Sequence, residues 1–134
     1  MEQAISPADY PTVIPYLINQ DAPSLIEFVK QTFGAIEHMR TIGNAGGVHC
    51  EVIISNSVIM IGGGRGDDRW KGEAATAALF LYIDDVQGAY QRAIQANATS
   101  LLEPINVPQR GLSADFKDPF GNTWFLSARQ HETS

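Results

Sequence analysis

The chain has 134 residues, of which 44% are hydrophobic and 18% are charged, and its formal net charge is −6. These values are typical of a globular protein with a hydrophobic core and exclude a disordered chain. An acidic chain without a stripe of lysine and arginine is a poor partner for nucleic acid or an anionic membrane, and no apolar run approaches the ~18 residues of a membrane span.

The first half of the chain predicts a strand, a helix and three further strands. Asp21 is placed to cap the helix at its start, and Gly34 is placed to end it in the left-handed conformation. Ser55 and Asn56 form a tight turn between the last two strands. The predicted strands of this half are 12–19, 36–41, 48–54 and 58–61.

Residues 62–76 form a connection that is rich in glycine and charge. The segment lacks the Gly-Lys-Ser/Thr ending of a phosphate-binding loop, so we reject that interpretation. Trp70 stands among charged residues in this connection. Its ring therefore requires an apolar partner elsewhere, which is a ligand, a second subunit or the protein's own core.

The second half of the chain repeats the order of the first. PYLIN at 15–19 aligns with FLYID 65 residues later, and GVHCEV at 47–52 aligns with GLSADF 64 residues later. Asp84 or Asp85 caps the second helix, and Asp118 opens a turn with a type I sequence. The predicted strands of this half are 78–83, 100–107, 112–117 and 123–127.

The repeat predicts an architecture. Two copies of one unit must pair, because neither copy buries its apolar face alone. We therefore predict an α+β fold with two βαβββ modules, 12–61 and 78–127, in a single domain over 1–134.

Alternation along the strands predicts which side chains face away from the helices. Phe80 and Tyr82 face away from them in the fifth strand. In the first strand, Leu17 is assigned to that face and Tyr16 to the helix side. His38 has the opposite parity to its neighbours in the second strand and is predicted to be solvated. The residues predicted to face away from the helices also include Val13, His49, Glu51, Met60, Ser113, Asp115 and Phe125.

Cys50 is the one cysteine in the sequence, so an internal disulfide is excluded. Its alternation with Val52 and Ile54 predicts a thiol in the core rather than a reactive one. A chain without disulfides fits a reducing compartment, and the N-terminal residues MEQAISPADYP lack the layout of a secretory signal. We therefore expect a cytoplasmic location.

Three stretches carry a likeness to a known family. IEFVKQTFGA at 26–35, LYIDDVQGAYQRAIQANA at 81–98 and KDPFGNTWFL at 117–126 resemble the glyoxalase/bleomycin-resistance/extradiol-dioxygenase superfamily, also called vicinal oxygen chelate proteins. PYLI, IEF and DPFGNTW are most similar to its PhnB-like branch. The resemblance covers about residues 12–128 and implies paired modules whose curled mixed sheets enclose a central cavity, with the helices outside.

The resemblance also implies where a metal would bind. Metalloenzymes of this superfamily carry ligands at four strand positions that correspond here to Val13, Met60, Ala78 and Phe125. Those enzymes use His, Gln or Glu, because a divalent ion needs nitrogen or oxygen donors. None of the four residues supplies such a donor, so we expect no metal and no cofactor.

The sequence leaves three functions open. The first is a metal-independent binding protein that holds a hydrophobic, neutral or cationic, aromatic ligand for sequestration or resistance, because Glu51 and Asp115 near aromatic rings disfavour an anion. The second is a divergent lyase, isomerase or dioxygenase-like enzyme that uses His49 and Glu51 as acid–base groups. The third is an accessory domain with no ligand.

The predicted partner is a small molecule, and the resemblance also implies a homodimer. Neither nucleic acid nor a membrane is expected as a partner. The predicted ligand-binding residues are Leu17, His49, Glu51, Met60, Trp70, Phe80, Tyr82, Ser113, Asp115 and Phe125.

Overall fold

The computed structural model of the protein describes residues 10–42, 47–63 and 76–129. Its contacts divide the chain into two compact units, Met1–Thr76 and Ala77–Ser134, which we call unit 1 and unit 2. The described residues of each unit form one helix and one four-stranded mixed sheet, so the predicted α+β fold with two βαβββ modules is confirmed. No helix within the described ranges is long and apolar enough to cross a membrane.

The sheet of unit 1 has the order β1-β4-β3-β2, with β1 parallel to β4 and the other neighbours antiparallel. Asp21 caps the helix as predicted, because its side chain accepts a hydrogen bond from the backbone of Ser24 at 3.2 Å. Gly34 ends the helix with φ 66°, and its N–H donates to the carbonyl of Lys30. The elements are β1 (Tyr16–Ile18), α1 (Ala22–Phe33), β2 (Ile36–Ile42), β3 (Val48–Ile54) and β4 (Ser57–Gly63).

The sheet of unit 2 has the equivalent order β5-β8-β7-β6, again with one parallel pair, β5 with β8. Asp85, rather than Asp84, caps the helix by accepting a hydrogen bond from the backbone of Gly88 at 2.9 Å. Asn97 follows the helix with φ 76° and takes the place of the left-handed glycine. The elements are β5 (Ala78–Ile83), α2 (Val86–Gln95), β6 (Thr99–Val107), β7 (Gly111–Lys117) and β8 (Thr123–Ala128).

Each helix covers one face of its own sheet: α1 contacts β3 and β4, and α2 contacts β6, β7 and β8. Apolar side chains of the sheet and the helix fill the space between them, which is where the burial of apolar surface stabilises each unit. Fully buried residues of these two cores include Leu25, Ile26, Val29, Cys50, Val52 and Ile61 in unit 1, and Val86, Ala93, Ala114, Phe116, Trp124 and Leu126 in unit 2. The sheet face opposite each helix is called here the open face of that unit.

The prediction for β1 is wrong by one residue. Leu17 is 1% exposed and pairs with Ile61, whose own partner on β3 is the buried Cys50. Because register partners share a face, Leu17 belongs to the core of unit 1, and its neighbour Tyr16 lies on the open face. Val13 precedes the strand and is 79% exposed.

The orientation of β1 was predicted wrongly because of the spacing of the repeat. The two helix caps, Asp21 and Asp85, are 64 residues apart, and Tyr16 pairs with Met60 as Phe80 pairs with Phe125. Tyr16 therefore corresponds to Phe80, and the sequence alignment of this strand with an offset of 65 moved every side chain to the opposite face.

Candidate functional site

A hydrogen-bonded chain of polar side chains crosses the open face of unit 1. His49 and Glu51 are two residues apart on β3 and share a face, as alternation predicts. The His49 Nε2 atom lies 3.1 Å from Glu51 Oε2, and the His49 Nδ1 atom lies 2.9 Å from the hydroxyl of Tyr16 on β1. Both nitrogens of the imidazole are therefore engaged, one by a carboxylate and the other by a phenol.

The Glu51 carboxylate is the buried end of this chain. Residue Glu51 is 5% exposed, and its second oxygen accepts a hydrogen bond from the hydroxyl of Tyr10. Burial by itself raises the pKa of Glu51, but the hydrogen bonds from Tyr10 and His49 and the nearby His49 and His38 imidazoles outweigh it and hold the pKa below its ordinary value. Glu51 is therefore a charged acceptor in a largely dry environment.

Tyr16 is the solvent end of the chain and is 46% exposed. Partial burial and the negative charge of Glu51 both raise the pKa of Tyr16. The phenol therefore keeps its proton at neutral pH. When His49 is neutral with its proton on Nε2, that nitrogen donates to Glu51, and Nδ1 accepts from Tyr16.

The structure corrects the prediction that His38 is solvated. The His38 side chain is 9% exposed, and its Nε2 atom lies 4.0 Å from Glu51 Oε1. A bulge between Glu37 and Met39 causes the change, because it breaks the alternation of β2 and turns His38 towards the face of Glu51. Sequence reasoning missed His38, Tyr10 and Tyr16 as members of this cluster.

The open face of unit 2 is aromatic. Phe80 and Tyr82 lie on β5, at 47% and 57% exposure, with ring centroids 5.2 Å apart. Phe125 on β8 is the register partner of Phe80, and these two rings stack with centroids 6.1 Å apart. The planes of the Phe80 and Tyr82 rings are tilted by 43°, and those of the Phe80 and Phe125 rings by 21°. The three rings in contact therefore present an apolar aromatic surface to solvent.

Arg110 completes this aromatic face, although no pattern in the sequence indicated it. Its guanidinium carbon lies 5.1 Å from the centroid of the Phe80 ring, within the range of a cation–π contact. The same guanidinium donates to Asp115 Oδ1 at 2.9 Å, to Ser127 Oγ at 3.0 Å and to the carbonyl of Leu126 at 3.1 Å. The negative charge of Asp115 is thus compensated by Arg110.

The turn between β6 and β7 explains how the Arg110 side chain reaches this position. Arg110 closes the turn between β6 and β7, where its N–H donates to the carbonyl of Val107, and Gln109 has φ 69°. The turn directs the long side chain back over the open face. Alternation along a strand predicts only the face on which a side chain begins. It therefore does not identify an arginine in a turn whose long side chain reaches across three strands.

The remaining predicted site residues occupy defined positions. Ser113 is fully buried, and its hydroxyl contacts that of Ser127 at 3.1 Å and donates to the carbonyl of Gly111. Met60 pairs with Glu51 and lies on the open face of unit 1. Leu17 is in the core rather than at the site, and Trp70 lies outside the described residues.

Eight of the ten predicted ligand-binding residues therefore lie on the open faces, in two groups. His49, Glu51 and Met60 share the open face of unit 1, and the open face of unit 2 carries the second group, which consists of Phe80, Tyr82, Ser113, Asp115 and Phe125.

The four positions that would carry metal ligands do not fit a divalent ion. Met60 and Phe125 lie on open faces without a nitrogen or oxygen donor in their side chains, and Ala78 has none. The corrected repeat offset of 64 replaces Val13 by Ile14 as the counterpart of Ala78, and Ile14 also lacks a donor. Within the described ranges, no group of three or more His, Cys, Asp or Glu side chains is arranged to hold a metal ion.

Comparison with known proteins finds relatives that are similar in sequence over most of the chain. The chain is 28% identical, over 92% of its length, to an uncharacterised protein of Mycobacterium bovis, and the match covers 87% of that protein. An uncharacterised protein of Mycobacterium tuberculosis matches with the same identity, and 78% of its length is covered.

Solved structures with the same fold include TioX from Micromonospora sp. ML1, with a TM-score of 0.71 and 15% identity, over 90% of this chain and 99% of that one. They also include the fosfomycin resistance protein FosX from Listeria monocytogenes, with a TM-score of 0.65 and 19% identity, over 90% and 94% of the two chains. A PhnB protein from Bacillus cereus matches with a TM-score of 0.63 and 12% identity, over 88% and 99%. At these identities the similarity concerns the fold alone. The model of the Glyoxalase/Bleomycin resistance protein/Dioxygenase superfamily matches residues 11–126, and the chain therefore belongs to that superfamily.

Proposed function

We propose that the protein is a metal-independent binding protein for a flat, hydrophobic, neutral small molecule, which it holds by stacking on the open face of unit 2. The observation that carries this proposal is the contact between Phe80, Tyr82 and Phe125, two of whose rings are about half exposed. Stacked rings offer a ligand both apolar burial and a preferred ring geometry.

Charge at the site favours a neutral guest over a cationic one. The expectation from the sequence, a neutral or cationic guest rather than an anion, rested on the carboxylates of Asp115 and Glu51. Arg110 now compensates Asp115 at 2.9 Å, and Glu51 is occupied by Tyr10 and His49. A neutral ring system stacks on Phe80 and on the guanidinium plane of Arg110 without disturbing this ion pair.

Family membership supports a role in sequestration or resistance. The superfamily name includes bleomycin resistance proteins, and FosX is described as a fosfomycin resistance protein. A stoichiometric binder needs no reacting group at the ligand, which agrees with four metal positions that carry no donors.

Fluorescence titration with Nile red, a neutral and flat dye, tests the proposal. We expect saturable binding at one site per chain, unchanged after dialysis against EDTA. Phe80→Ser should weaken it about tenfold, since about 1.4 kcal/mol of lost ring contact corresponds to that factor. The matched control is Ile94→Ser, because Ile94 is also an exposed large apolar residue but lies on α2. Equal affinity of the Phe80→Ser and wild-type proteins, or a requirement for added divalent metal, would contradict the proposal.

We also propose that the protein is a homodimer. The strands β2 and β6 lie at the edges of their sheets and carry exposed apolar residues, among them Ile42 at 70% and Ile105 at 55%. An edge strand presents unpaired backbone groups to which a second chain can pair, and exposed apolar side chains on that strand favour such an interface. Light scattering at tens of micromolar should give the mass of two chains, and the mass of a single chain would contradict this.

A further inference from the structure

We infer that Tyr16, His49 and Glu51 form a proton relay, which exchanges one proton with an oxygen atom of a bound small molecule that carries a weakly acidic hydroxyl group, such as a phenol or an enol. The Tyr16 hydroxyl is the group that touches the ligand. This activity belongs to unit 1 and is independent of the aromatic binding proposed for unit 2.

The geometry of the relay is continuous from solvent to a buried charge. The Tyr16 hydroxyl is 2.9 Å from Nδ1 of His49, and Nε2 of the same ring is 3.1 Å from Glu51. Tyr16 is 46% exposed, whereas Glu51 is 5% exposed. One end of the chain is therefore accessible to a ligand, and the other end has little contact with water, which screens its charge only weakly.

The second oxygen of Glu51 is also held. Tyr10 donates to it, and His38 Nε2 lies 4.0 Å from it. These groups fix the carboxylate so that Oε2 points at His49. Tyr10, Tyr16, His38, His49 and Glu51 are the titratable groups that the structure places in this cluster.

The proton transfer balances without any further reactant. The O–H bond of the ligand breaks, and its proton passes to the oxygen of Tyr16 as the proton of Tyr16 moves to Nδ1 of His49. The ligand is left as an oxyanion that accepts a hydrogen bond from Tyr16, and His49 is left as an imidazolium that donates to Glu51. The reverse sequence protonates a ligand oxyanion. Nothing is oxidised or reduced, and the Glu51 charge compensates the imidazolium in both directions.

Close packing holds Tyr16 at this position. Its ring lies over Gly62 on β4, and Gly62 is the register partner of His49. Tyr16 and His49 also contact each other through their rings, whose centroids are 5.6 Å apart. The relay is therefore a constrained arrangement rather than a chance contact of mobile surface side chains.

The test uses 4-nitrophenol, whose absorbance distinguishes the phenol from the phenolate, at a pH below the pKa of the free dye. We expect the wild-type protein to bind the dye as phenolate, while the imidazole ¹⁵N resonances of His49 move to those of an imidazolium. Tyr16→Phe should lower the bound phenolate fraction at least tenfold, and Glu51→Gln should abolish the imidazolium signal. The control is Tyr90→Phe, because the Tyr90 hydroxyl also has a hydrogen-bond partner, Ser100, but lies in unit 2.

Three results would overturn the inference: equal phenolate in the wild-type and Tyr16→Phe proteins, a bound phenolate without imidazolium at His49, or no change of the His49 resonances on addition of dye. Tyr16→Phe keeps the ring and decides the question even where Glu51→Gln fails to fold. A Nile red titration of the Tyr16→Phe protein tests the aromatic face separately, so failure of either proposal is distinguishable from failure of the other.

Discussion

Gly62 lies directly against the ring of Tyr16. A Cβ atom at position 62 would overlap the Tyr16 hydroxyl oxygen and would lie 2.9 Å from the Cε1 atom of the same ring. The glycine therefore leaves the space through which Tyr16 crosses β4 to reach His49. Gly62 is not among the glycines with a positive φ, so its backbone conformation does not require a glycine. The contact with Tyr16 is therefore the reason for a glycine at this position.

Gly62→Ala should therefore detach Tyr16 from His49. The added methyl group takes the place of the phenol ring, which must rotate away into solvent. We expect loss of the Tyr16–His49 hydrogen bond, with a cost in unfolding free energy of about 1 kcal/mol. The ¹⁵N shift of His49 Nδ1 and chemical denaturation measure the two effects. In a Tyr16→Ala background the same Gly62→Ala change should have no effect, and an unchanged cost in that background would show that the two residues are not coupled.

Stability should depend on pH through Glu51. The native pKa of this carboxyl is below the ordinary value of 4.5, so its contribution is complete above that value and is lost as the pH falls through the native one. Glu51→Gln should remove this acid-side loss and cost about 1–3 kcal/mol at neutral pH, because Tyr10 and His49 lose a charged acceptor. Denaturant unfolding at a series of acid pH values measures both.

The control for the Glu51 prediction is Glu103→Gln, since Glu103 is an exposed glutamate on β6. Its unfolding free energy should follow that of the wild-type protein across the acid range. Parallel curves for the wild-type and Glu51→Gln proteins would rule out the assigned role of the Glu51 carboxylate.

Asp118 is predicted to be a structural residue of the Asp-Pro-Phe-Gly-Asn turn. It is 3% exposed and accepts hydrogen bonds from the backbone of Phe120 and Asn122, from the Asn122 amide and from the Trp124 indole, the last at 2.8 Å. Asp118→Ala should destabilise the protein by about 2–5 kcal/mol, because several buried donors lose their partner. Asp118→Asn, which keeps the shape of the side chain and one acceptor oxygen, should cost less. Thermal unfolding measures both, and equal costs would contradict this division of the network.

Much of the fold is predictable from the sequence, because local chemistry determines it. The caps at Asp21 and Gly34 and the turn at Asp118 follow from residue type and spacing, and each is confirmed. The predicted orientation of β1 was wrong because the strand has only three residues, Tyr16–Ile18, which are too few for alternation to determine which side chains face the helix. The spacing of the two aspartate caps was the signal that would have corrected it.

The sites were less predictable than the strands for two physical reasons. His38 faces Glu51 because of a β-bulge, and a single sequence does not mark a bulge that contains no glycine. Arg110 and Tyr10 reach their partners with long side chains from outside the strands, at distances along the chain that periodicity does not describe. His49 and Glu51 were found because both lie within one regular strand.

The Arg110–Asp115 pair should determine the charge of the ligand that the aromatic face accepts. The two groups are 2.9 Å apart, with side chains 26% and 13% exposed, so the site is neutral as a whole.

Arg110→Met keeps an apolar stem near Phe80 but leaves the Asp115 charge uncompensated. Affinity should therefore shift towards a cationic flat dye such as acridine orange by about tenfold relative to Nile red. Asp115→Asn leaves the Arg110 charge uncompensated and should shift affinity towards the anionic dye 1-anilinonaphthalene-8-sulfonate by a similar factor, since uncompensated charge in a partly desolvated site is worth about 1–3 kcal/mol. Arg110→Met with Asp115→Asn restores neutrality and should restore the preference for Nile red. Competition titrations of the three dyes against the three variants measure these preferences, and dye selectivity that is unchanged in both single variants would show that ligands do not bind beside this ion pair.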